Sequence, residues 1–258
     1  MEHQGISFAR LLPTLQNSEE YFQKLTGDER IGRRIFQLCL LFAGLTFFYG
    51  LIMGCYSGFP QALSAAFKVP VLFAVSLVIC FPAFFLLQYI LGSTMKLSHM
   101  TAIVLSGFVL TAAIMVSFTP IIIFFVLTGG NYHFLQLLHV AVFTLSGIFG
   151  KKTVLDALKF SCERKSVYPQ TGVTVFRFWV VILAFVGIQL AWNLRPFVAE
   201  RDEPFALFRK YEGNFYAAVI YSIGQLSKPS AEITKPLPPG GRLNFLPDST
   251  GKGQENAR

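Results

Sequence analysis

Charge is scarce in this sequence. Only 14% of residues are Asp, Glu, Lys or Arg, where a soluble domain carries roughly a quarter. Three stretches hold none at all: Ile35 to Phe67, Val69 to Met95, and Leu97 to Gly150, divided only by Lys68 and Lys96. An ionised side chain in hydrocarbon costs several kcal/mol, on the order of 3 by insertion scales. Runs this long therefore exclude a water-soluble fold and point to a bilayer. Cysteine is also sparse. Cys39, Cys55, Cys80 and Cys162 form no CxxC pair, which leaves neither a disulfide framework nor a zinc site. No HExxH, no GxSxG and no carboxylate pair occurs within the apolar runs, so the chain is expected not to be an enzyme. The missing intramembrane carboxylate also counts against a proton-coupled carrier.

What is present is apolar length. A spanning helix needs about 20 apolar residues, and the hydropathy pattern predicts five: 35–57, 69–92, 101–127, 133–150 and 173–193. The expected fold is all-α, a polytopic bundle of about five transmembrane helices with amphipathic flanks. Residues 1–34 form a polar leader in which Phe8, Leu11, Leu12 and Leu15 recur at helical spacing, as an interfacial helix requires. Between the first two spans, Gly58–Lys68 is expected to be a loop lying at the interface, since Phe59, Leu63 and Phe67 are four apart. Residues 194–226 mix charge with aromatics and are read as an interfacial segment. Asn214–Leu226 is too short to cross, although whether 215–226 re-enters the membrane is open. The Pro- and Gly-rich residues 227–258 form an extended polar tail.

The net charge of +8 flanks the spans rather than lining a basic face, so no nucleic-acid partner is expected. Arg10, Lys24, Arg30, Arg33 and Arg34 precede the first span, and Lys151, Lys152, Lys159, Arg164 and Lys165 follow the fourth. With five spans these groups share a side. The positive-inside rule makes that side cytoplasmic and puts the C-terminus outside.

Within the spans, Gly50, Gly54 and Gly58 form a GxxxGxxxG stripe that lets two helix backbones approach closely. Its partner is either another helix of the bundle or a second copy of the chain. Pro70, Pro82 and Pro120 each remove a backbone donor and tend to bend their helices. His133, Gln136 and His139 lie along the fourth span. His139 is the one candidate for a cofactor ligand or proton relay, against the plainer role of an interhelical hydrogen bond. No cofactor and no metal are expected. Ser76, Gln88, Ser106, Thr111, Ser117 and Thr119 are further polar residues, and hydroxyls in helices commonly bond back to their own carbonyls. After the fifth span, Trp192, Arg195, Phe197, Phe205, Phe208 and Phe215 are candidates for docking a partner, the alternative being a cap on the membrane surface.

The polar leader, five closely spaced spans and small soluble mass over roughly residues 35–195 resemble the Yip1-like class of small multispan proteins. The segment Trp192-Asn193-Leu194-Arg195-Pro196-Phe197-Val198, with Glu203-Pro204-Phe205 and Glu212-Gly213-Asn214-Phe215-Tyr216, is similar to bacterial multispan proteins of no assigned activity. That resemblance implies the bacterial inner membrane as location and carries over no catalytic residue. The expected function is a non-enzymatic scaffold or accessory subunit, partnered by the lipid bilayer and by other membrane subunits or itself. The alternative is a small channel or transporter with a polar path through the second to fourth spans.

Overall fold

The computed structural model of the chain describes residues 31–129, 131–165, 170–198, 207 and 215–226. The amphipathic leader before Ile31, Phe205, Phe208 and the tail from Ser227 lie outside the described residues, as does the side chain of Phe215. The elements are α1 (Ile31–Gly54), α2 (Phe59–Ile90), α3 (Leu97–Ser117), α4 (Thr119–Leu127), α5 (Tyr132–Lys165), α6 (Gln170–Leu194) and α7 (Phe215–Leu226). No strand occurs among the described residues. Five stretches are long and apolar enough to cross a membrane: Ile31–Ser57, Phe59–Ile90, Leu97–Leu127, Tyr132–Lys159 and Thr171–Leu194. The fold is an all-α polytopic membrane bundle.

Glycine and proline set the breaks. After α1 a single 3-10 turn, Cys55–Ser57, runs into Gly58 at φ +111°, a conformation that L side chains rarely adopt. Pro60 then sits in the first turn of α2, where its missing N–H costs nothing. The expected interfacial loop 58–68 is therefore helix. No breaker separates Phe67 from Val69, and α2 runs unbroken for 32 residues, about 48 Å at 1.5 Å per residue. Phe59, Leu63 and Phe67 are indeed exposed along one side, but as the lateral face of a span. Pro70 and Pro82 lie inside this helix without ending it. Pro120 does interrupt its own: α3 stops at Ser117, Phe118 bonds back to Ile114 and Met115, and α4 restarts with Pro120 in its first turn. The two form one bent span.

The fourth span also outruns its expected end at Gly150. Nothing in the segment 151–165 breaks a helix, and α5 continues to Lys165. Its extension buries Val154, Ala157 and Leu158 against Phe84, Met100 and Trp179, which ties α2, α3, α5 and α6 together. At the start of α5 the Asn131 side chain accepts the His133 N–H at 2.9 Å, an N-cap that satisfies one of the first-turn donors.

Aromatic rings in edge and stacked contact link four of the helices. Phe108 meets Phe42 at 5.8 Å between centroids, Phe42 meets Phe73 at 5.6 Å, Phe73 stacks on Phe143 at 5.7 Å, and Phe143 meets Tyr49 at 5.7 Å. Such pairs contribute about 0.5–1.5 kcal/mol beyond burial. This chain of rings joins α1, α2, α3 and α5.

Candidate functional site

Three polar contacts lie toward the end at which α1 turns into α2, hereafter the Gly58 end. The α1–α2 hairpin frames it. A Cβ on Gly50 would lie 2.5 Å from the Ala65 carbonyl oxygen, and one on Gly54 would lie 2.6 Å from the Ala62 Cα. Two of the three stripe glycines thus pack against a matching stripe, Ala62, Ala65 and Ala66, all fully or almost fully buried. Gly58 has open space around it and serves the turn. This face of α1 is covered by α2 of the same chain.

One residue before Gly50, the fully buried Tyr49 places its hydroxyl 2.9 Å from His139 Nδ1. The phenol donates to Nδ1 when the ring proton is on Nε2 and accepts from Nδ1–H in the other tautomer. His139 thus makes the interhelical hydrogen bond anticipated from sequence, with its ring edge-on to Tyr49 at 5.8 Å. Nearer the start of α5, the buried Ser222 of α7 donates to Gln136 Oε1 at 3.2 Å, while His133 Nδ1 lies 3.4 Å from the same hydroxyl. Tyr221 presents its ring to that of His133 at 5.6 Å. Gln136 and His133 therefore act as the polar seat for α7.

The third polar group joins α2 to the chain that leaves α6. Lys68, only 5% exposed, donates from Nζ to the Pro196 carbonyl at 3.1 Å and to the Leu207 carbonyl. Gln61 Nε2 donates to the same Pro196 oxygen at 2.7 Å. A lysine in the wall of a span is retained only where its donors are satisfied and its charge is shielded. Here two carbonyls of the segment beyond α6 supply that. Phe197 and Val198 follow Pro196 into the core formed by Tyr49, Met53, Val69, Ile122 and Val142. Of the docking candidates, Phe197 is thus used inside the chain. Arg195 lies over the Trp192 ring, 3.7 Å from its centroid, a cation–π pair at the end of α6.

At the opposite end, Gln88 is fully buried and donates to the Gly172 carbonyl at 3.0 Å, and Trp179 donates to the Cys80 carbonyl at 2.9 Å. Trp179 stacks on Phe84 at 4.6 Å, which fastens α6 to α2. Most hydroxyls described in the spans bond back to backbone carbonyls, while that of the fully buried Ser146 has no hydrogen-bond partner. Ser76 bonds to Leu72, Ser106 to Ile103, Thr111 to Gly107, Ser117 to Ala113 and Thr119 to Val116, each a carbonyl three or four residues back in its own helix or, for Thr119, in the last turn of α3. Among the described residues, no group of three or more His, Cys, Asp or Glu side chains comes together to hold a metal.

Sequence reasoning missed Lys68 and Gln61, because both fell in the segment taken as a loop. The signal was the alanine spacing that follows Gln61, which mirrors the glycines of α1. It also missed the α3–α5 crossing. A Cβ on Gly107 would strike Val154 and the Gly150 carbonyl, and one on Gly150 would strike Thr111. These glycines lie 43 positions apart in the chain and form no local motif. No protein-family model, curated protein or solved structure matches the chain, so its function rests on this geometry.

Proposed function

We propose that the chain is a non-enzymatic integral membrane scaffold or accessory subunit, inserted with its N-terminus in the cytoplasm. The observation that carries this reading is the ring-to-ring packing that joins four helices, together with span hydroxyls such as those of Ser76, Ser106 and Thr111 that bond to their own backbones. A bundle built this way holds shape and presents surfaces. The orientation follows the basic side chains. Arg33, Arg34, Lys96, Lys151, Lys152, Lys159 and Arg177 belong to the end opposite Gly58, whereas Lys68 and Arg195 belong to the Gly58 end, in the manner of the positive-inside rule.

Native mass spectrometry of the tagged chain, extracted from its own membrane in polymer discs, tests the reading. A stoichiometric membrane partner or a single defined oligomer is expected. A monomer alone, with solute flux through reconstituted liposomes above that of empty ones, would replace this reading with the channel or transporter. The orientation is tested separately by reporter fusions: a C-terminal alkaline phosphatase should be active and a C-terminal fluorescent protein of the cytoplasm-folding type dark.

A further inference from the structure

Helix α7 has its polarity reversed relative to a helix resting on a protein in water. The side it turns to the bundle carries Ser222, 2% exposed and hydrogen-bonded to Gln136. The side it turns away carries Tyr216, Ile220 and Ile223, exposed by 48%, 60% and 53%. Positions 216, 220 and 223 are spaced by four and three, which aligns them in one stripe. In water the favourable arrangement is the opposite, with isoleucines against the protein and serine outside. Against hydrocarbon the observed arrangement is the stable one, because a hydroxyl facing lipid needs a partner and an isoleucine does not. The neighbours agree. The helix packs on α5 and α6, both of them spans, and α6 itself exposes Phe178, Val181, Ile182 and Phe185.

Length and depth define how far it enters. Twelve residues extend about 18 Å, well short of the roughly 30 Å hydrocarbon thickness. Ser222 is level with Gln136, one turn inside the start of α5 at Tyr132, so contact is made just below the Gly58 end. Tyr216, the aromatic of the stripe, stands in the first turn, where an interfacial anchor belongs. We infer that α7 is a half-inserted helix that does not cross the membrane, with its 216–220–223 stripe covered by acyl chains of the leaflet at the Gly58 end.

The test uses the full-length protein with its four cysteines replaced, reconstituted in lipid nanodiscs. Ile220→Cys and Ile223→Cys are each labelled with an environment-sensitive fluorophore and compared with Val181→Cys on the lipid face of α6 and Ser249→Cys in the tail. Quenching by doxyl-labelled lipid chains should match that at position 181 within about twofold, and aqueous iodide should quench several-fold less than at position 249. Iodide quenching equal to that at 249, with none from the doxyl lipids, overturns the inference. A second measurement needs no fluorophore in the helix. In sealed vesicles, Thr128→Cys at the Gly58 end and Ser249→Cys should react with an impermeant maleimide from the same side. Labelling from opposite sides means that the chain crosses after α6, which overturns half-insertion.

Discussion

At the scale of single residues, the Tyr49–His139 pair is the clearest commitment of the structure. Both side chains are buried, and each is the other's hydrogen-bond partner across α1 and α5. Removing one leaves a buried polar group unpaired, which costs about 1–3 kcal/mol in a dry interior, although interhelical bonds in membranes average nearer 0.6 kcal/mol. Tyr49→Phe should therefore lower the melting temperature in mild detergent by about 2–4 °C, the shift that ~1 kcal/mol produces at this size. The double variant Tyr49→Phe with His139→Leu should lose less than the sum of the single losses, the signature of coupled neighbours. An additive loss would separate the two residues energetically. Lys68 is the second residue of consequence. Lys68→Met removes the donor to Pro196 and Leu207 while keeping the side-chain length, so it should loosen the segment beyond α6 without disturbing the spans. Limited trypsin digestion at Arg201, Arg209 or Lys210 should speed up several-fold, and unchanged cleavage would deny Lys68 this role.

At the scale of elements, the α1–α2 hairpin depends on backbones in near contact. Gly50→Ala would force its methyl to 2.5 Å from the Ala65 oxygen, an overpacking that typically costs 1–3 kcal/mol. Gly44→Ala on the same helix meets nothing within 4 Å and should be neutral or slightly stabilising, since alanine favours helix by about 1 kcal/mol over glycine. Equal melting temperatures for the two variants would contradict the packing. How much of this was legible beforehand follows from what each feature depends on. The five spans were readable because charge exclusion is imposed by the solvent and needs no knowledge of neighbours. The glycine stripe is readable as a close-packing face, but its partner is not, because Ala62, Ala65 and Ala66 fall in the segment where hydropathy predicts a loop. The boundaries of α2 and α5 differ from expectation for two reasons. The charge of Lys68 marks a span boundary by hydropathy although it lies inside the span Phe59–Ile90, and α5 continues to Lys165 because nothing after Gly150 breaks the helix. The seat of Ser222 on Gln136 and His133 joins positions 86 and 89 apart, which no periodicity reveals.

At the scale of the whole molecule, the α3–α5 crossing and the α6–α2 aromatic stack bind the remaining helices to the hairpin. Gly150→Val should be among the most damaging substitutions in the chain, because even its first carbon would collide with Thr111 and the Gly107 carbonyl. Loss of the folded, monodisperse peak in detergent chromatography is the expected readout, and a normal elution profile would argue against this crossing. The chain of rings through Phe108, Phe42, Phe73, Phe143 and Tyr49 has a bearing on motion. Edge and stacked contacts in a close-packed interior do not slide continuously, so four helices are geared to one another at mid-depth and cannot rotate singly. Breathing of the molecule is thereby confined to its rim: the Lys68 tether, the end of α6 and the seat of α7. Amide exchange should be slowest on the ring-bearing turns of α1, α2, α3 and α5 and fastest in α7, so that a binding partner would register there first, as newly acquired protection.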